Sequence, residues 1–168
     1  MFSAQVDWSR YARDYDFMGQ YNPAYQQLIE EFLGIIAHWG ISDRELLVDL
    51  GAGTGNFPTV LAEHFPACRV IHVDANAAMN GVAIKKARER DLSNLDVHLQ
   101  DVTECNYAAE SIAAVVSVHS LYAMPNPVRI VKRMCGWLRP GANAFFATPV
   151  GHYRFGFGHR PACPSDAG

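Results

Sequence analysis

The stretch Leu46-Leu47-Val48-Asp49-Leu50-Gly51-Ala52-Gly53-Thr54-Gly55-Asn56 restricts the fold of this chain more than any other. A short apolar run ended by glycines reads as a strand buried on both faces, as in a parallel sheet. Glycines at alternate positions let the backbone turn sharply and approach a ligand with no Cβ atoms in the way. A helix opening directly after them would direct unpaired N–H groups at that ligand.

The remaining sequence supplies partners for such a strand. Val70–Asp74 reads as a second strand that ends in a carboxylate. Leu95–Leu99 alternates as a third, Ile112–Val118 is apolar on both faces as a fourth, and Ala144–Thr148 is a fifth. Helices fall between them. One follows the glycines with Phe57, Val60, Leu61 and Phe65 in a stripe. Another spans Ala75–Arg90 with Met79, Val82, Ala83 and Ile84 inward. A third spans Pro127–Leu138 and is broken by Arg139-Pro140-Gly141. Upstream, Asn22 is an N-cap before Pro23, and Leu28, Phe32, Leu33, Ile35, Ile36 and Trp39 carry that helix to Gly40. Strand–helix alternation at this spacing implies right-handed crossovers and a parallel sheet covered on both faces.

The expected fold is therefore α/β: a Rossmann-like, doubly wound, mostly parallel sheet of about five strands. Residues 23–150 form the domain. Residues 1–22, with Trp8, Tyr11, Tyr15, Phe17 and Tyr21, form an aromatic arm that is either a lid over a site or simply docked on the surface. Residues 151–168 read as a flexible tail, poor in aliphatic side chains.

Bulk properties exclude several classes. Hydrophobic residues make up 49% and charged residues 18% of the 168, which describes a folded domain with a sizeable core. The net charge of -3 gives no general attraction to nucleic acid or to an anionic membrane. The basic cluster Lys85-Lys86-Ala87-Arg88-Glu89-Arg90 reads as the solvated face of a helix. Cys68, Cys105, Cys135 and Cys163 lack C-x-x-C spacing, which argues against a zinc site or a redox pair. With no leader pattern and no long apolar run, the expected location is the cytoplasm.

Ligands of open α/β sheets sit beyond the carboxyl ends of the strands. Asp49, Asp74, Gln100-Asp101 and Ser117-Val118-His119 all fall at such ends. A dinucleotide loop has the spacing G-x-G-x-x-G. Here the third glycine comes one residue early, Gly51-x-Gly53-x-Gly55, and Asn56 stands where that loop needs glycine. Asp49 just ahead of the glycines suits a cationic ligand better than a pyrophosphate, by Coulomb sign. No Lys follows Gly55, so the phosphate-loop pattern is absent.

Val48-Asp49-Leu50-Gly51-Ala52-Gly53-Thr54-Gly55 resembles the first motif of the class I S-adenosylmethionine-dependent methyltransferases of the small-molecule type. The resemblance runs over about residues 8–150 and includes Leu138-Arg139-Pro140-Gly141-Ala142, with Ala142 where a second glycine is common. It implies S-adenosylmethionine as cofactor. Asp49 would face its ammonium, and Gly51, Gly53 and Gly55 would cradle its methionine portion. Asp74, followed by Ala75, would take the ribose hydroxyls. Asp101 and Val102 would read the adenine, with Met79 beside it, and Ser117 would contact the cofactor from the fourth strand. Each has a plainer alternative: Asp74 as a helix N-cap, Asp101 as a turn cap, Met79 as core.

The cofactor's sulfonium already activates the methyl group, so such a protein mainly positions the acceptor. His119 is the candidate catalytic base, with a contact role as the alternative. His38, His72 and His98 read as structural. Tyr11, Tyr15 and Tyr122 would either close over the sulfonium or pack as lid and core. Ser117-Val118-His119-Ser120 stands where methylases of nucleic-acid and glutamine amide nitrogens carry [DNS]-P-P-[YF], which disfavours those substrates.

One departure from the family concerns length. Its sheet usually ends in an antiparallel hairpin after the fifth strand, and this sequence looks C-terminally truncated before it. An apolar fifth strand at an open edge invites pairing, so a homo-oligomer through that edge is expected. The expected function is methyl transfer to a small-molecule acceptor. The alternatives are a catalytically impaired cofactor-binding protein and, less favoured by the glycine spacing, an NAD-dependent oxidoreductase.

Overall fold

The computed structural model describes residues 7–148 and 151–155. It contains one six-stranded sheet with strand order β3-β2-β1-β4-β5-β6. The strands are β1 (Leu46–Leu50), β2 (Arg69–Asp74), β3 (Leu95–Leu99), β4 (Ile112–Val118), β5 (Leu138–Thr148) and β6 (Gly151–Phe155). The first five are parallel to one another, and β6 is antiparallel to β5. Strand order reverses direction between β1 and β4, which places a crevice beyond their carboxyl ends.

Alternate residues of β1, β2, β4 and β5 feed two cores. Leu47, Val70, Ala114, Val116 and Phe145 meet helices α2 (Pro23–Ile36) and α3 (Asn56–His64) on one face. Val48, Leu50, Ile71, Val73, Val115 and Phe146 meet α5 (Pro127–Trp137) and the segment around Val102 and Cys105 on the other. The strands are thus apolar on both faces because both faces are covered. Helix α4 (Ala77–Glu89) packs on β2 and β3, and α1 (Trp8–Tyr21) packs on α2 and α4. Among the described residues no helix is long and apolar enough to cross a membrane.

The Asn22 cap forms as expected, its Oδ1 accepting from the N–H groups of Ala24 and Tyr25 at 3.0 and 3.3 Å. The aromatic arm holds the helix α1. Two expectations are corrected. Helix α4 starts at Ala77, capped by Asn76, whose Oδ1 accepts from Ala78 and Met79. Asp74 is therefore not the cap. Lastly, residues 151–155 of the expected tail form β6, in register Ala144↔Phe155, Phe146↔Tyr153 and Thr148↔Gly151. A strand short of aliphatic residues carries little local signal; its hydrogen bonds come from the edge of β5. Strand β5 is thereby interior, and the argument for self-association through its open edge no longer applies to it. The rest of the expected tail, 156–168, lies outside the described residues, as do residues 1–6 of the arm.

Arg139 and Glu45 join the amino end of β5 to the lead-in of β1 by an ion pair, Nε to Oε1 at 2.8 Å and Nη2 to Oε2 at 2.9 Å. The Arg139-Pro140-Gly141 turn thus braces the end of the sheet opposite the crevice.

Candidate functional site

The carboxyl ends of β1, β2, β3 and β4 open into a cavity of about 340 Å³. Its floor is the loop between β1 and α3. Gly51 and Ala52 donate their N–H groups to the Val73 carbonyl of β2 at 2.8 and 3.0 Å, which folds the loop back over the sheet. Gly51, Gly53 and Gly55 all have positive φ, at 69, 55 and 84°, where side chains other than glycine are strained. His72 braces the loop from beneath: it is fully buried, and its Nε2 lies 2.8 Å from the Gly53 carbonyl.

Three carboxylates converge on the cavity from three strand ends. Asp49 is 1% exposed, and its Oδ1 has no hydrogen-bond partner among the described residues. Burial, and secondarily the charge of Asp74, push its carboxyl well above the usual carboxylate range. Asp74 accepts the Gly53 N–H at Oδ2 and the Asn76 N–H at Oδ1, both at 2.8 Å, and so ties the loop to the start of α4. Asp101 accepts the N–H and hydroxyl of Thr103 at 2.7 and 2.6 Å. These bonds hold its carboxyl below the ordinary value. Asp101 caps the 3-10 turn Val102–Glu104, the plainer of its two readings, and it also lines the cavity.

Of the other expected cofactor contacts, Gly51, Gly53, Ala75, Met79 and Val102 line the cavity. Met79 is 3% exposed and belongs to the buried side of α4 as well. Gly55 and Ser117 do not line it. Gly55 faces α4, where an added Cβ would stand 2.9 Å from that of Ala83, so its role is close helix packing. Ser117 is fully buried, and its hydroxyl donates to the Leu50 carbonyl at 2.9 Å. Ser120, three residues on, bonds the same carbonyl at 3.0 Å and lines the cavity in its place.

His119 lines the cavity from the end of β4. Its φ of 53° turns the chain, its N–H donates to the Ala147 carbonyl at 2.8 Å, and its ring lies 6.1 Å from that of Tyr25. The other histidines divide: His72 is the loop brace, His98 is half-buried on β3, and His38 is exposed after α2 rather than within an apolar element.

Part of the cavity lining is aromatic. Trp8 and Tyr15 of α1 and Tyr25 of α2 belong to it, and successive T-shaped contacts join Trp8 to Tyr11, Tyr11 to Tyr15, Tyr15 to Tyr25 and Tyr25 to Phe57. Burial pushes the Tyr25 phenol up to about 12 and raises that of Tyr15 further, so both remain hydrogen-bond donors at neutral pH. Tyr11 and Tyr122, at 41% and 55% exposed, are outside the lining. The i, i+3, i+7 spacing of Trp8, Tyr11 and Tyr15 was the available signal that these rings share one helix face. Tyr25 had none, because it reads as an ordinary core position.

Lys86 corrects the reading of the basic cluster. Lys85 and Arg90 make exposed ion pairs with Glu89 and Glu63. Lys86 is instead 15% exposed, and its Nζ lies 2.6 Å from Asp16 Oδ1 and 2.5 Å from Asn56 Oδ1. Among the described residues, no group of His, Cys, Asp and Glu is arranged to hold a metal ion.

Residues 47–141 match the family model described as a methyltransferase domain. The chain is 33% identical over 106 residues to trans-aconitate 2-methyltransferase of Deinococcus radiodurans, covering 63% of this chain and 38% of that protein. It is 28% identical over 102 residues to the ubiquinone biosynthesis O-methyltransferase of Coxiella burnetii, covering 61% and 42%. The chain thus spans about two fifths of the length of these curated relatives. In fold it is similar to a Methanococcus maripaludis protein assigned as an S-adenosyl-L-methionine-dependent methyltransferase. The TM-score is 0.71 at 19% identity, over 87% of this chain and 66% of that one.

Proposed function

This chain belongs to the methyltransferase-domain family, and on that premise we propose that its cavity binds S-adenosylmethionine and presents the methyl group to a small-molecule acceptor. The observation that carries the reading is the convergence of Asp49, Asp74, Asp101 and the glycine loop on one cavity.

Several features fit the cofactor. Asp49 offers a buried oxygen that no described residue satisfies, which an ammonium group would satisfy. A Cβ placed on Gly53 would meet nothing within 4 Å, so the loop backbone there borders open space. Asp74 retains acceptor capacity beyond its two N–H bonds and would take the ribose hydroxyls. Asp101 would accept from the adenine amine, with Ala75, Met79 and Val102 against the base. When bound, S-adenosylmethionine supplies a methyl group already made electrophilic by its sulfonium.

The protein's own part is to orient and to exclude water. Trp8, Tyr15 and Tyr25 place aromatic rings in the lining, and an aromatic face favours a cation. His119 would accept a proton from a protonated acceptor, or hold the acceptor by contact where none must leave. Of the two curated relatives, one is named for trans-aconitate and the other for ubiquinone biosynthesis. The shared domain therefore leaves the acceptor open. The lack of a nucleic-acid or membrane partner belongs to the same proposal, supported by the net charge of -3, and a cytoplasmic location is proposed with it. Self-association is proposed too, for which β6 and β3 are the outer strands.

Calorimetry of the chain with S-adenosylmethionine, S-adenosylhomocysteine and NAD tests the reading. Binding of the two sulfur ligands and not NAD is expected. Binding of neither sulfur ligand refutes it. Binding without turnover across a panel of hydroxyl, amine and carboxylate acceptors leaves a cofactor-binding protein rather than an enzyme.

A further inference from the structure

The Lys86–Asp16 pair does more than neutralise a half-buried cation. Asp16 belongs to α1 and Lys86 to α4, 70 residues apart. The same Asp16 Oδ1 accepts the hydroxyl of Thr54, a fully buried side chain of the glycine loop, at 2.7 Å. Lys86 also reaches Asn56, the first residue of α3, and the Asn56 amide donates to the Tyr25 hydroxyl of α2 at 3.1 Å. Further out, the Asn76 amide donates to the Ser9 hydroxyl at 3.0 Å. One polar network therefore joins all four helices of this face, and its hub touches the loop that forms the cavity floor.

The helix so fastened is the one that contributes Trp8 and Tyr15 to the cavity wall. Its tie to the loop is charged and little exposed, at 31% for Asp16 and 15% for Lys86, where a lost partner strands the other group. We propose that Asp16 and Lys86 are positioning residues that fasten α1 to the glycine loop, so that docking of α1 and occupation of the cavity are thermodynamically linked. Linkage is reciprocal: a ligand that orders the loop steadies α1, and a loosened α1 weakens the ligand. This rests on the proposal that the cavity takes S-adenosylmethionine or its product.

The test uses S-adenosylhomocysteine, with calorimetry for affinity and hydrogen exchange for α1. In the unmutated chain the ligand is expected to slow exchange of the α1 amides as well as those of the loop. Asp16→Asn keeps an acceptor for Thr54 and removes the charge; Lys86→Met removes the cation. Each is expected to weaken binding by about tenfold, within the usual range for coupled sites, and to confine ligand protection to the loop. The double variant binds no worse than the weaker single one, because both break the same pair. Lys86→Arg restores most of both readouts, and Lys85→Met, whose partner Glu89 is 61% exposed, behaves like the unmutated chain.

No binding by the unmutated chain overturns the cofactor reading, and the linkage with it. Binding without added α1 protection overturns the linkage alone, whether or not the variants fold. Additive losses, or variants that bind and protect α1 as the unmutated chain does, overturn it as well.

Discussion

Replacing each glycine of the loop by alanine separates what the loop does for the fold from what it does for the ligand. All three have positive φ, which costs an alanine roughly 1–2 kcal/mol. Their surroundings differ. A Cβ on Gly51 would stand 2.5 Å from Ser120 Cβ and 2.8 Å from Met124 Cε. Relieving that overlap costs about 1–3 kcal/mol. If Ser120 moves, its bond to Leu50 is lost as well, for about 1 kcal/mol more. A Cβ on Gly53 would meet nothing within 4 Å, so only the backbone cost applies. Gly51→Ala should therefore be less stable than Gly53→Ala by about 2–4 kcal/mol, a gap in Tm of about 4–16 °C for a chain of this size. Gly55→Ala falls near Gly51→Ala, since its Cβ would lie 2.9 Å from Ala83 Cβ and 3.3 Å from Ala83 Cα. Binding should show the contrast from the other side. Gly53→Ala keeps its fold and loses affinity for S-adenosylhomocysteine, because its new methyl group occupies space bordering the cavity. The assays are urea unfolding, read at unchanged m, and calorimetry. Equal stability of Gly51→Ala and Gly53→Ala would show that the Ser120 contact does not constrain the loop.

Three further outcomes are expected at the site. Asp74→Ala strands the Gly53 and Asn76 N–H groups and the proposed ribose contacts, so affinity for S-adenosylhomocysteine drops by about 1–3 kcal/mol; an unchanged affinity in a folded variant leaves Asp74 a loop tie only. The raised carboxyl of Asp49 means that the folded chain holds that proton more tightly than the unfolded one. The ligand-free protein should therefore lose stability as pH rises from about 3.9, the unfolded value, toward the higher folded one. Asp49→Asn should flatten this slope in pH-dependent melts, and an unaltered slope assigns it elsewhere. His119→Ala should lower turnover by about a hundredfold with S-adenosylhomocysteine affinity kept; full turnover makes His119 a wall residue.

What the sequence shows of this molecule is what short stretches decide. The strand from Leu46 to Leu50, the glycine loop and the carboxylates Asp49, Asp74 and Asp101 are legible because period, turn chemistry and strand ends are local properties. The Asn22 cap is legible for the same reason. What escapes depends on residues far apart. Lys86 lies in a basic run that looks solvated, and only the return of α1 across α4 brings Asp16 to it. The sequence singles out Ser117 as the contact; the turn at His119, φ 53°, brings Ser120 to the cavity instead. Gly55 looks like a ligand glycine because spacing cannot distinguish a close ligand from a close helix. Strand β6 escapes because its pairing belongs to the edge of β5 rather than to its own composition.

Tyr25 gives this cavity an uneven capacity to change. It is 4% exposed, part of the core beneath α2, and a member of the cavity wall. Any mutation that reshapes the wall there also opens a void in the core, so selection for a new acceptor at Tyr25 runs against stability. Ala123 and Pro125 line the same cavity without belonging to either core cluster. Variation in acceptor among close homologues should therefore collect in the short segment after β4, while the position of Tyr25 changes only together with Phe32 and Phe57.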